Sequence, residues 1–124
     1  VISAWCNSLV STGTLKVDGD GTQSRDFCYV DNAVSANILA AESDRCFKGD
    51  VINIAHGETR SINEILDIFK SRFLVNVEHC QSRQGDVMRT HADITHARQL
   101  IGYTPRVSFD DGLEATFKWW GNMS

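Results

Sequence analysis

Arg25 and Arg83 are the residues whose type and setting point most directly to chemistry. Arg25 lies in Gly19-Asp20-Gly21-Thr22-Gln23-Ser24-Arg25-Asp26-Phe27, after a glycine-bearing loop and before the apolar run Phe27-Cys28-Tyr29. A guanidinium held by ordered neighbours beside such a loop presents a planar fork to a phosphate or a carboxylate. The plainer alternative is a surface arginine paired with Asp26 or Asp20. Arg83-Gln84-Gly85-Asp86 is a second arginine in a glycine-containing loop, and its plainer reading is a turn carrying a surface Arg and Asp. His91, Asp93 and His96 are of metal-ligating types, but no helix clearly places the three on one face, and Asp93 reads better as a cap. Lys16, Asp18 and Thr90 say nothing by type alone.

Several familiar devices are missing from the sequence. Gly19 and Gly21 do not make a dinucleotide fingerprint, because the third glycine would fall on Ser24 and no helix follows at once. There is no G-x-S-x-G elbow, no Walker phosphate loop and no H-E-x-x-H. The four cysteines, Cys6, Cys28, Cys46 and Cys80, are far apart and form neither a C-x-x-C pair nor a zinc-finger spacing. They read as reduced, mostly buried thiols.

The elements that must position these residues alternate between helix and strand. Val1, Ile2, Trp5, Leu9 and Val10 share one helical face, with a stop at Gly13. No capping residue precedes Val1, so this helix reads as entered from its N-terminal side. Leu15 to Val17 is a short strand, and 18–22 a loop dense in turn formers. Asp26 to Val30 suits an extended segment, and Asp31 or Asn32 an N-cap for a helix to about Glu42. Val51-Ile52-Asn53-Ile54-Ala55 is almost unbroken apolar, the pattern of a strand covered on both faces in a parallel sheet. Ser61-Ile62-Asn63-Glu64 fits a capping box before an amphipathic helix to about Phe73. Val75 to His79 is another strand. A short helix from Ile94 to Ile101 stops at Gly102, and Ser108 or Asp110 caps a last helix through Leu113, Phe117 and Trp120. The class is α/β, with one strand whose parallel neighbours must come from elsewhere.

Composition bounds the rest. The chain has 124 residues, 42% hydrophobic and 23% charged, with a formal charge of −4, which suits one core and gives no basic footprint for nucleic acid or an acidic membrane surface. No apolar stretch approaches the roughly 20 residues needed to cross a bilayer, and no leader of signal-peptide form is visible. A cytoplasmic protein is expected, with no nucleic-acid or membrane partner.

Taken together, 15–32, 51–55, Arg83-Gln84-Gly85-Asp86-Val87, Ala92-Asp93-Ile94, Gly102-Tyr103-Thr104-Pro105 and Gly112-Leu113 resemble, in order and approximate spacing, the C-terminal half of extended short-chain dehydrogenase/reductases, the NAD-dependent nucleotide-sugar epimerases and dehydratases. Among these, the Ser24-Arg25-Asp26-Phe27-Cys28-Tyr29 run is most similar to UDP-N-acetylglucosamine 4-epimerases of bacterial surface-polysaccharide synthesis. The resemblance implies that residues 1–124 form the substrate-binding region of a Rossmann-like enzyme as a partial domain, without the N-terminal dinucleotide-binding part. It implies that Arg25 and Arg83 bind the diphosphate of a UDP-sugar, that Asp86 accepts from the ribose hydroxyls, and that the Lys16–Asp18 strand passes the uracil. It also implies that a small residue at Thr90 leaves room for an N-acetyl group. Asp18 departs from the family, where Asn, Tyr or Phe is more usual, and Lys16 is not a motif residue.

In such enzymes NAD sits on an N-terminal glycine-rich turn, and a tyrosine assisted by a lysine four residues later serves the reaction. Here Tyr29 is followed at that offset by Ala33 and Tyr103 by Val107. The expectation is therefore a substrate clamp without a cofactor site or a catalytic residue, inactive alone, with NAD belonging to the full-length relative. Two alternatives stand: part of a nucleotide-sugar dehydratase or decarboxylase, or a non-catalytic remnant serving as a binding or self-assembling module. The Val51–Ala55 strand and the helix faces at Trp5 and Leu39 would then drive pairing with a missing half or with a second copy.

Overall fold

A computed structural model describes residues 1–122; the last two residues of the expected 1–124 domain lie outside that range. The fold is α/β, with elements α1 (Ile2–Ser11), β1 (Thr14–Asp18), β2 (Ser24–Arg25), α2 (Val30–Ala41), β3 (Arg60–Ser61), α3 (Ile62–Arg72), β4 (Asn76–Cys80), α4 (Thr95–Ile101) and α5 (Phe109–Gly121). The residues divide into two compact units, one of 1–25, 60–90 and 117 onward, the other of 26–59 and 91–116. Among the described residues no helix is long and apolar enough to cross a membrane.

The first unit is built on a parallel pair. β1 runs beside β4 with Leu15 opposite Val77 and Asp18 opposite Cys80. Strand alternation sends Leu15 and Val17 inward, both buried, and turns Lys16 outward. Ile65, Leu66 and Phe69 of α3 are buried with them in this unit. Trp5 of α1 meets Phe69 edge-on at 5.3 Å between ring centroids, and Phe69 meets Phe117 in the same way at 5.1 Å, a geometry that sets ring edges against ring faces. The Trp5 indole N–H donates to the Lys16 carbonyl at 2.8 Å, so the ring is buried without an orphaned donor. This Trp5 face, expected to lack a partner, is covered within its own unit. Leu39 likewise packs on the core of the second unit.

The second unit gathers Ala36, Ala55, Ile94, Ala97, Ile101 and Tyr103. The Tyr103 hydroxyl donates to the Ala55 carbonyl at 2.8 Å, and burial pushes its pKa up. The same burial raises the Cys28 thiol beside it. Here the expected two-faced strand is corrected: Val51–Ala55 is not a strand, and the parallel pairing lies in β1 and β4 instead. Ile52 and Ile54 pack on the cluster while Val51 is 84% exposed. The apolar run is therefore buried on one side only, and no ladder partner accompanies it among the described residues.

Helix ends follow the sequence at α3, where Ser61 and Glu64 form the full capping box, and at α4, where Gly102 takes the left-handed φ of 67°. At α2 they do not. Its N-cap is Tyr29 with no side-chain cap, and Asn32, expected as a candidate cap, is buried in the helix. The Asn32 amide reaches a distant loop, accepting from the N–H groups of Arg106 and Val107 at 2.9 and 3.0 Å and donating to the Val107 carbonyl at 2.8 Å. The segment 26–29 carries no strand, and the paired residues are Ser24 and Arg25 just before it.

Candidate functional site

All six residues singled out for the site, Lys16, Asp18, Arg25, Arg83, Asp86 and Thr90, fall in the first unit. The loop from β1 to β2 is fixed at several points. The Asp20 carboxylate accepts from the Thr22 N–H and hydroxyl at 3.0 and 2.7 Å, which also holds its pKa below the usual carboxylate range. Gln23 donates to the Asp18 carbonyl at 2.8 Å, and Asn63 donates to the Asp20 carbonyl at 3.0 Å. Gly21 has φ of 77°, and a Cβ there would collide with the Asn63 amide, so only glycine lets Asn63 approach this closely.

Arg25 then emerges on a short ribbon. β2 pairs antiparallel with β3, Ser24 opposite Ser61 and Arg25 opposite Arg60, while the other side of Ser24 binds the 88–90 segment. The Ser24 N–H donates to the Met88 carbonyl at 2.8 Å, and the Thr90 N–H donates to the Ser24 carbonyl at 3.1 Å. The chain upstream of Met88 makes a turn in which the Asp86 N–H donates to the Arg83 carbonyl at 3.2 Å. Gly85 takes φ of 81° there, and among the described residues no non-glycine residue has positive φ, the pattern of a type II turn with glycine at its third position.

These ties bring distant residues together. Arg25 Nη2 donates to Asp86 Oδ1 at 2.6 Å, and its Nη1 donates to the Ser24 carbonyl at 2.8 Å. Arg83 Nε forms an ion pair with Asp18 Oδ2 at 2.7 Å. Neither Asp20 nor Asp26 is the partner of Arg25: Asp20 holds its turn, and Asp26 accepts from the N–H groups of His56 and Gly57 at 3.0 Å each. The two ion pairs differ in setting. The Arg25 and Asp86 side chains are 24% and 35% exposed, whereas that of Arg83 is 76% exposed. Lys16 stands apart at 3.7 Å from Glu78, both well exposed, a contact of little weight in water. Thr90 is exposed and enters through its backbone.

Sequence reasoning missed Arg60. Its place opposite Arg25 puts both side chains on one face of the ribbon, and only cross-strand register could have revealed that. The metal-type residues have other work: His91 is hydrogen-bonded to the Gly57 carbonyl at 3.0 Å, and Asp93 accepts from the Thr95 N–H at 2.8 Å, which lowers its pKa. No group of three potential metal-ligating side chains forms among the described residues. The turn at Gly19 and Gly21 leads into β2, so it does not fit a dinucleotide pyrophosphate, which needs a helix N-terminus directly behind the glycines. What the arrangement offers is two guanidinium groups, each already holding an oxyanion, on a pinned scaffold.

Residues 2–116 match the family described as GDP-mannose 4,6 dehydratase. The chain is 32% identical over 108 residues to UDP-glucuronate 4-epimerase of Thermodesulfobacterium geofontis, covering 85% of this chain and 32% of that protein. It is 28% identical over 126 residues to UDP-glucose 4-epimerase of Mycolicibacterium smegmatis, covering all of this chain and 40% of that one. Among solved structures, UDP-glucuronic acid 4-epimerase of Bacillus cereus, in complex with UDP-glucuronic acid and NAD, superposes with a TM-score of 0.90 at 32% identity, over 99% of this chain and 40% of that one. The chain thus spans 32% to 40% of the length of these relatives.

Proposed function

This chain belongs to the extended short-chain dehydrogenase/reductase family of nucleotide-sugar epimerases and dehydratases, and on that premise we propose that it is the UDP-sugar-binding part of an NAD-dependent 4-epimerase acting on UDP-N-acetylglucosamine. The observation that carries the reading is the pairing of Arg25 with Asp86 and of Arg83 with Asp18 in one unit. A guanidinium that holds a carboxylate at 2.6 or 2.7 Å suits a phosphate oxygen equally well. In this reading Arg25 and Arg83 take the diphosphate and Asp86 turns to the ribose hydroxyls. β1 lies along the uracil at Lys16 and Asp18, and the small Thr90 side chain leaves space for the N-acetyl group. The nucleotide bound in the Bacillus cereus relative supports the UDP class. NAD and the groups that move hydride and proton fall to the part of a full-length enzyme that carries a dinucleotide turn.

Calorimetric titration of the chain with UDP, UDP-N-acetylglucosamine and NAD tests this. UDP is expected to bind saturably and to lose about tenfold or more in affinity in Arg25→Ala, the scale of one charge-assisted hydrogen bond, with a similar direction in Arg83→Ala. NAD is expected to give no binding heat. Absence of UDP binding, or NAD binding that survives loss of both arginines, sinks the reading.

A further inference from the structure

We infer that Asp18 is a built-in competitor for the anionic ligand: its carboxylate occupies Arg83 in the free protein and must be exchanged for a phosphate before Arg83 can grip a nucleotide. The inference rests on the nucleotide-binding reading above and deepens it by giving the two arginines different parts. Arg25 is preset. One of its nitrogens is held by the Ser24 carbonyl and the other by Asp86, and the turn bearing Asp86 leads straight into the 88–90 segment bound to Ser24. Arg83 has no comparable support: its 2.7 Å contact with Asp18 is an ion pair made by a side chain that is 76% exposed.

The anchored member of that pair is the acid. Asp18 closes β1 in register with Cys80, its carbonyl accepts from Gln23 at 2.8 Å, and the next residue donates its N–H to the Cys80 carbonyl at 2.9 Å. Exchange therefore swings the long, solvated arginine while the carboxylate stays in place. To the guanidinium fork, the Asp18 carboxylate and a phosphate oxygen are ligands of the same kind, so they compete for it directly. A pair with one exposed member is weak, which makes this competition modest and reversible.

The test uses the full chain, UDP as probe, and the variants Asp18→Asn and Asp67→Asn. Asp67 lies on the exposed side of α3 and provides the same change of charge away from Arg83. Asp18→Asn is expected to bind UDP about two- to fivefold more tightly than the parent, the scale set by one exposed ion pair, with Asp67→Asn unchanged. In nitrogen-15 spectra the Arg83 Nε–H resonance is expected to shift in free Asp18→Asn, and to shift in the parent on saturation with UDP. Equal or weaker binding by Asp18→Asn, alongside a parent that binds UDP, overturns the inference and leaves the nucleotide reading standing. Equal tightening in Asp67→Asn overturns it as well, since net charge alone would then account for the gain, and so does an Arg83 resonance indifferent to Asp18→Asn. If neither parent nor variant binds UDP, the nucleotide reading falls and takes the inference with it.

Discussion

Asn32 and Arg25 show how much a single side chain does once its partners are known. The buried Asn32 amide serves two N–H groups and one carbonyl of the 106–107 loop, all three of which lose that partner if the amide is removed. Asn32→Ala is expected to cost on the order of 3 kcal/mol of unfolding free energy, read from the urea midpoint at constant slope. A loss under about 1 kcal/mol would mean the loop finds other partners. From sequence alone Asn32 suits a helix cap because short polar side chains favour helix ends, but its partners lie 74 and 75 residues away. Arg25 and Asp86 are 61 residues apart. Their types and glycine neighbours were legible, and the family resemblance named both, but spacing along the chain carries no information on a contact made through the 88–90 bridge.

At the level of elements, local chemistry was readable and long-range cover was not. The capping box at Ser61 and Glu64, the Asp93 bond ahead of α4 and the Ser108 to Asp111 pair ahead of α5 all involve residues two or three apart, within reach of pattern alone. Val51–Ala55 reads as a two-faced strand but is not one, because an apolar run reports that something covers it, not on how many sides. The capping box also makes a pH prediction. Bonds from the Ser61 N–H and hydroxyl hold the Glu64 pKa below its ordinary 4.5. Its contribution is therefore present in full above that value and fades as pH falls through the lowered one. Glu64→Gln is expected to flatten the acid limb of the stability curve, while Ser61→Ala costs about 1 kcal/mol at neutral pH. Identical acid limbs in parent and Glu64→Gln would remove α3 from the acid sensitivity.

For the molecule as a whole, stability rests on small cores. Chains of this length hold about 6 to 18 kcal/mol in total. Phe69, fully buried and flanked by Trp5 and Phe117, is expected to take about 3 to 5 kcal/mol of that with it in Phe69→Ala, as measured by thermal or urea unfolding. A loss below 1 kcal/mol would show that the aromatic cluster repacks. α/β class and the order of most elements were visible in the sequence, because period and turn chemistry are local. The division into two units was not, since it depends on which stretches return to one another.

That division also bears on how the chain reaches its native state. β1 must wait for β4, which begins at Asn76, and the first unit draws on three separated stretches with the second unit's residues threaded between them. Parallel pairing over such a loop gains nothing until the loop has closed. The Arg83–Asp18 pair at the end of that strand pair is therefore assembled late, and hydrogen-exchange pulse labelling during refolding should find the β1 and β4 amides protected after those of α2 and α4.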